Sequence, residues 1–184
     1  MRLFIALPCP PEVRETLAGV QTRLSSYGSF KFVLEENIHV TMKFLGEVSA
    51  DSLRNITEAL TPVRDEPSFT VRVQGLGVFP KPSFPRILWA GIAEGANQVD
   101  ALHVRVDELL KPLGFPQDDR FHPHATIARA KKVSDTRELS RLLQENKTAD
   151  YGTYQARTIN LMESKLSPQG PAYTILQEFP LKRA

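Results

Sequence analysis

The chain has little of what builds disulfide frameworks, membrane spans or broad polyanion-binding surfaces. Cys9 is the only cysteine among 184 residues, so no intramolecular disulfide can form, and a reducing, cytoplasmic setting is expected. No apolar run is long enough to span a bilayer, and Pro8 cuts the apolar start of the chain too short for a signal peptide. The net charge of +2 is too small to indicate a wide nucleic-acid surface, but it allows a local cleft for an anionic substrate.

What remains is the composition of an ordinary globular protein, with 41% hydrophobic and 24% charged residues. A chain of 184 residues can form one substantial core or two small fused lobes.

Within this composition one pattern occurs twice. His39 and Thr41 lie in one apolar, β-branched run, and His124 and Thr126 lie in another, 85 residues further along. Because the side chains of a strand alternate, the His and Thr of each copy are predicted to share a face, with their apolar neighbours toward a core. A chain with four histidines would rarely contain this pattern twice by chance.

Two such half-sites facing each other would place an acid, a base and two hydroxyls around one substrate. Imidazole suits both proton roles, because its unperturbed pKa of about 6.5 lies near working pH. The hydroxyls of Thr41 and Thr126 can donate hydrogen bonds to phosphoryl oxygens. The pattern therefore predicts cleavage of a phosphodiester without a metal or other cofactor.

Strand and helix signals alternate along the chain. Strands are predicted at 2–7, 30–34, 38–45, 69–73, 86–92, around 124, 153–163 and 172–181. Helices are predicted from the apolar spacing at 13–24, 53–63, 99–110 and 139–143, with Ser49 and Ser134 as N-caps of the second and fourth. The proline-rich stretch 80–85 is expected to be a loop, and 167–171 a turn.

These signals recur in both halves, with one His-x-Thr strand in each. We expect an α+β fold of two pseudo-symmetric lobes within one domain, 1–184, with antiparallel sheets facing a central cleft and helices outside. An open, doubly wound parallel sheet is the alternative. Several predicted strands follow one another with no helix between them, which favours antiparallel pairing.

The two motifs, at 39–42 and 124–127, resemble those of the 2H phosphoesterases. The first continues as Lys-Phe-Leu-Gly and the second follows Phe-His-Pro, and the resemblance extends to 2–6, 77–80, 89–91 and 166–173. Within that group the chain is most similar to the bacterial and archaeal RNA 2′,3′-cyclic phosphodiesterases, historically called 2′-5′ RNA ligases. The resemblance implies a bilobal α+β fold, hydrolysis of RNA 2′,3′-cyclic phosphates to 2′-phosphomonoesters, and reversible, ATP-independent 2′-5′ joining.

The same resemblance implies the roles of the histidines. His39 would donate a proton to the leaving 3′ oxygen, and His124 would accept a proton from water, although the residues alone permit the reverse. The expected partner is an RNA with a 2′,3′-cyclic phosphate end, such as a tRNA half, or a small cyclic nucleotide. No membrane and no obligate protein partner are expected.

Two basic residues are candidate substrate ligands. Arg129 matches a family position near the substrate and would clamp phosphate, but strict alternation puts it opposite His124, so a bulge or a strand end is needed. Lys43 shares the face of His39 by alternation, with an ordinary surface lysine as the alternative. Three aromatic residues are candidates for stacking on a base, with core packing as the alternative: Phe79, Phe121 and Tyr173.

Other interpretations stay open at this point. His122, with His39 and His124, would suggest a metal hydrolase if the three formed a ligand triad. His103 lies among apolar helix positions and is expected to be a packed helix residue. A module that binds RNA ends without turnover is the alternative from another functional class.

Overall fold

Helices and strands alternate through the described residues, 1–168 and 170–183, of the computed structural model. The strands are β1 (Arg2–Pro8), β2 (Gly28–Phe32), β3 (His39–Glu47), β4 (Phe69–Lys81), β5 (Phe84–Ile92), β6 (His124–Val133), β7 (Asp150–Ala156), β8 (Thr158–Ser167) and β9 (Gly170–Pro180). The helices are α1 (Pro11–Leu24), α2 (Ala50–Leu60), α3 (Ala96–Leu110) and α4 (Thr136–Glu145).

These strands form one antiparallel network with the order β7-β4-β5-β6-β3-β1-β8-β9, and β2 pairs with β6. The motif strands β3 and β6 meet at the centre through the pair Val40 and Ala125. On one side β6 leads to β5, β4 and β7, and on the other side β3 leads to β1, β8 and β9. The expected α+β architecture with antiparallel sheets is confirmed, and the two lobes are two arms of one curled sheet.

The helices cover one face of each arm. α1 packs against β6 and β7 and α4 against β4, whereas α3 packs against β3 and also against α2. Val13, Leu17 and Leu24 of α1 are buried at the helical spacing that the sequence predicts. The central strand residues Val40 and Ala125 point into this core and are fully buried. The opposite face of the central strands is therefore left for the cleft.

The helix N-termini confirm one predicted cap and correct another. Ser49 caps α2, as expected, because its hydroxyl accepts a hydrogen bond from the backbone N–H of Ser52. The predicted cap Ser134 is wrong, since Asp135 caps α4. Its carboxylate accepts two backbone N–H bonds at 2.8 and 3.1 Å, and a negative charge at a helix N-terminus is favoured by the helix dipole.

Two predictions about strands also need correction. The single strand expected at 153–163 is β7 followed by β8, because β7 pairs with β4 in one arm and β8 with β1 in the other. The loop expected at 80–85 is mostly strand, since β4 runs to Lys81 and β5 begins at Phe84. The predicted turn 167–171 includes Gln169, which lies outside the described residues.

Across the part of the chain that the structure describes, no helix has both the length and the apolar content needed to cross a bilayer.

Candidate active site

The two motif strands place three of their four motif residues at one cavity. His39, Thr41 and Thr126 line this cavity, whose volume is about 170 Å³. His124 lies close enough for its charge to affect the ionisation of His39. Each His and Thr is partly exposed while the residue between them is buried, as strand alternation predicts. The structure thus brings together the four residues that the repeat singled out.

The ring of His39 is held in one tautomer by its backbone neighbour. Nδ1 donates a hydrogen bond of 2.7 Å to the carbonyl oxygen of Asn37, so the proton of the neutral ring is on Nδ1. The free lone pair is then on Nε2, which accepts a hydrogen bond of 2.9 Å from the hydroxyl of Thr41. Phe4 stacks on the ring at a centroid distance of 5.1 Å. Nε2 is therefore the atom of His39 that is available for proton transfer.

His124 repeats this arrangement in the other arm. Its Nδ1 donates a hydrogen bond of 2.6 Å to the carbonyl oxygen of His122, which leaves Nε2 as the reactive nitrogen. The rings of Phe79 and Trp89 lie 5.1 and 6.1 Å from the imidazole. Trp89 fits because the facing residue is Gly77, where a Cβ would lie 2.2 Å from the indole ring. The rings of Phe79 and Trp89 thus pack against the imidazole of His124, as Phe4 packs against that of His39.

Both histidines are held in the neutral form by their surroundings. Burial lowers the pKa of His39 from 6.5 to about 4, with a smaller lowering from the charge of His124 and an opposing effect of the Asn37 carbonyl. Burial also lowers the pKa of His124, and the charge of His122 adds to this effect against the raising effect of the His122 carbonyl. At neutral pH the free protein therefore has two neutral imidazoles, and a bound anion would favour protonation of either one.

Each motif strand has a β-bulge directly after its threonine. The extra residue is Met42 in β3 and Ile127 in β6. A bulge of one residue reverses the alternation of the side chains that follow it. The fifth residue after each motif histidine therefore turns toward the cavity, and this residue is Phe44 in β3 and Arg129 in β6.

Arg129 follows a bulge, which is one of the two ways that the sequence predicts for it to reach the face of His124. The bulge at Ile127 brings its side chain to the cavity, although strict alternation would place it on the opposite face. Lys31, which is the cross-strand neighbour of Arg129 on β2, lines the same cavity. Two exposed cations therefore stand on one side of the site.

Lys43 does not share the face of His39, and that prediction is wrong. The bulge at Met42 turns Lys43 to the helix side, where its side chain is only 5% exposed. Its ammonium group forms a salt bridge with Asp107 of α3 and donates a hydrogen bond of 2.6 Å to the carbonyl oxygen of Pro116. Lys43 therefore ties β3 to α3 and does not face the cavity.

The aromatic candidates fall in different places. Tyr173 lines the cavity, edge-on to His39 at a centroid distance of 5.6 Å. Phe79 packs beside His124, whereas Phe121 stacks on His103 at 3.9 Å.

Sequence reasoning missed Phe44, which lines the cavity with 73% of its surface exposed. Aligning the two motif copies with each other would have found it, because Phe44 occupies the position of Arg129.

The histidines outside the motifs have distinct settings. His103 is buried in α3 and donates from Nδ1 to the carbonyl oxygen of Met42, so the packed helix residue is confirmed. His122 is exposed, and its ring lies 6.2 Å from that of His124. Among the described residues no group of three or more His, Cys, Asp or Glu side chains has the arrangement to hold a metal ion.

Comparison with known proteins agrees with the geometry of the site. The model of the 2′-5′ RNA ligase superfamily matches residues 9–165. The RNA 2′,3′-cyclic phosphodiesterase of Methanocaldococcus jannaschii is 32% identical over 97% of this chain and 100% of that protein. The enzyme of the same name from Aeropyrum pernix is 38% identical over 80% of this chain and 84% of its own length.

A solved structure has the same architecture over the whole chain. The crystal structure of a Thermus thermophilus protein, TT0787, superposes with a TM-score of 0.79 at 32% identity, covering 100% of this chain and 99% of that one. The fold, the paired motifs and the relatives lead to one conclusion. The chain belongs to the 2′-5′ RNA ligase superfamily, within the 2H phosphoesterases.

Proposed function

We propose that this protein hydrolyses the 2′,3′-cyclic phosphate ends of RNA to 2′-phosphomonoesters, with His39 as proton donor and His124 as proton acceptor. Family membership and the relatives support the broader statement that the protein is a cyclic phosphodiesterase. The observation that carries the proposal is the pair of imidazoles, each held with Nδ1 on a backbone carbonyl, so that Nε2 carries the lone pair of the neutral ring.

In this mechanism the neutral Nε2 of His124 takes a proton from water as the water oxygen attacks phosphorus. The bond between phosphorus and O3′ breaks, and protonated His39 gives its Nε2 proton to that oxygen. The phosphate stays attached to O2′, so the product is a 2′-phosphomonoester. The anionic phosphodiester raises the pKa of His39 when it binds, so that Nε2 takes up from solvent the proton that the free enzyme lacks.

The other residues at the cavity hold the substrate. The hydroxyls of Thr41 and Thr126 donate to the non-bridging oxygens as negative charge develops there. Arg129 binds the phosphate as a charged donor. Tyr173 and Phe44 offer rings on which the terminal base can stack.

The same geometry supports joining of RNA ends. If the 5′-hydroxyl of a second RNA replaces water as nucleophile, His124 deprotonates it and the product is a 2′-5′ linkage. The cyclic diester is itself the activated group, so the reaction requires no ATP. We propose that both reactions proceed without metal or cofactor, in the cytoplasm and within one bilobal domain, and that tRNA halves are among the RNAs acted on.

The test is incubation of a short RNA ending in a 2′,3′-cyclic phosphate, with EDTA and without ATP, and separation of the 2′- and 3′-phosphate products. We expect the 2′-phosphate, and no product with the double variant His39→Ala/His124→Ala. A 3′-phosphate product would show that O2′, and not O3′, is the leaving oxygen. Activity that returns only on adding metal would contradict the metal-free mechanism. Tight binding without turnover would favour an RNA-end binding module.

A further inference from the structure

Six exposed cations are concentrated on three neighbouring segments of the sheet. The segments 28–34, 81–87 and 128–133 contain no acidic residue, and the chain as a whole has a net charge of only +2, so the remainder is net negative. In the described part of the chain none of the six forms an ion pair with an acidic side chain. They are Lys31, Lys81, Arg86, Arg129, Lys131 and Lys132.

The strand pairing brings these cations onto neighbouring strands, and the six together are here termed the basic track. On one side of β6, Lys31 of β2 is paired with Arg129. On the other side, Ile87 of β5 is paired with the same Arg129, which places Arg86 next to the following part of β6. At about 3.3 Å per residue, the part of β6 from Thr126 to Lys132 spans about 20 Å. The basic track therefore begins in the catalytic cavity and extends well beyond it.

The far end of the basic track has its own groove. A groove of about 280 Å³ is lined by Arg86, Lys131 and Lys132 together with Phe84. Phe84 is 52% exposed, and the guanidinium of Arg86 lies 4.5 Å from the centre of its ring. Cations that follow a backbone beside an exposed ring are typical of surfaces that bind single-stranded nucleic acid.

The corresponding part of the other arm differs in charge. After its bulge β3 continues with exposed Phe44 and ends at exposed Glu47, while Lys43 is buried in its salt bridge. A polyanion that leaves the cavity is therefore attracted along β6 and not along β3.

We propose that the basic track binds the single-stranded RNA that precedes the cyclic phosphate, so that the substrate is an RNA oligomer and not a small cyclic nucleotide. This inference rests on the proposed function, since it assigns the substrate of the same site. Arg129 and Lys31 hold the terminal phosphodiester, and Lys131, Lys132 and Arg86 hold the phosphates before it. Phe84 stacks on one of the preceding bases.

The test compares two substrates, 2′,3′-cyclic AMP and a single-stranded hexanucleotide with a 2′,3′-cyclic end, over a range of salt concentrations. The wild type should have the higher kcat/KM for the hexanucleotide. As the salt concentration rises, the ratio of the two kcat/KM values should decrease. The variant Lys131→Ala/Lys132→Ala should lower kcat/KM for the hexanucleotide about tenfold and reduce the slope against log salt by about 1.4. Hydrolysis of 2′,3′-cyclic AMP should be unchanged.

The matched control is Lys111→Ala/Lys147→Ala, which removes two exposed lysines away from the basic track. Equal effects of the two double variants, or an equal loss for both substrates, would overturn the proposal. If neither substrate is hydrolysed, the proposed function fails by itself. Anisotropy of a labelled hexanucleotide still tests the basic track in that case, because only the variant of Lys131 and Lys132 should weaken binding. Phe84→Ala should weaken that binding without changing its salt slope, as expected for a stacking ring.

Discussion

The two motif strands are built on one plan and differ in their surroundings. Each holds its histidine by a backbone carbonyl two residues earlier, and each has a bulge after its threonine. In β3 the imidazole is stacked on Phe4 and bonded to Thr41, and the bulge presents Phe44. In β6 the bulge presents Arg129 instead.

This comparison separates what the repeat supplies from what its neighbours add. The repeat fixes the tautomer of two imidazoles, which is the common requirement of an acid and a base. The surroundings then make the two halves unequal, because the residue that each bulge turns to the cavity is Phe44 in β3 and Arg129 in β6, and exposed Lys131 and Lys132 follow in β6.

The largest effect is expected from removing either imidazole. His39→Ala and His124→Ala should each lower kcat about 10²- to 10⁴-fold, because each removes one proton transfer. Replacing the leaving 3′ oxygen of the substrate with sulfur should distinguish the roles, since a thiolate leaves without protonation. The sulfur substrate should restore activity to His39→Ala and not to His124→Ala. If the sulfur substrate restored activity to His124→Ala and not to His39→Ala, His124 would be the proton donor and His39 the proton acceptor.

The second largest effect is expected on stability. It concerns Lys43, which occupies in β3 the position that Ala128 occupies in β6, directly after the bulge. Lys43→Ala should lower the free energy of unfolding by about 3–5 kcal/mol, because the Asp107 carboxylate would stay buried without the ammonium group that pairs with it. Chemical denaturation of the purified variant measures this change.

The control removes both charges of the pair. Lys43→Met/Asp107→Leu should recover part of the lost stability, since no unpaired charge is left although the backbone N–H of Asp118 loses its acceptor. Arg129→Ala, at an exposed position, should leave stability nearly unchanged and lower activity. Loss of activity in Lys43→Met/Asp107→Leu despite wild-type stability would show that Lys43 contributes to the site after all.

The two threonines allow a finer comparison. Thr41→Val and Thr126→Val each remove one donor to the phosphoryl oxygens and should lower kcat by about 10²-fold. Thr41→Val should have the larger effect, because its hydroxyl also holds Nε2 of His39. Steady-state kinetics on the same RNA measure both, with the serine variants as controls that keep the hydroxyl. Equal losses in the valine and serine variants would argue against hydroxyl donation.

The smallest effect is a displacement of the pH profile. In the free enzyme burial lowers the pKa of His39 to about 4 and also lowers the pKa of His124, so the protonated form of His39 is depleted as the pH rises above about 4. The bell-shaped profile of kcat/KM should therefore centre below pH 6.5. The profile of kcat should lie at higher pH, because the bound anion raises both pKa values. A kcat/KM optimum above neutrality would contradict the burial argument.

Much of this protein could be predicted from local patterns. The period of two placed His39 with Thr41 and His124 with Thr126 on one face, and the apolar spacing found the helices. The half-length separation of the motifs pointed to paired half-sites, and the structure puts the two strands side by side. The faces and the helices depend on near neighbours in the chain, and the pairing of the half-sites was indicated by the repetition of the motif, so the sequence alone contains all three.

Other features depended on which strands pair. The pairing with β1 and β5 creates the bulges at Met42 and Ile127, which bury Lys43 and bring Phe44 and Arg129 to the cavity. The basic track also joins segments that are distant in the chain. By itself the sequence determined the repeated motif, the face of each histidine and the family. Only the tertiary structure decided the residues beyond each bulge and the surface that continues the site, because a bulge is a shift between two strands and no single strand records it.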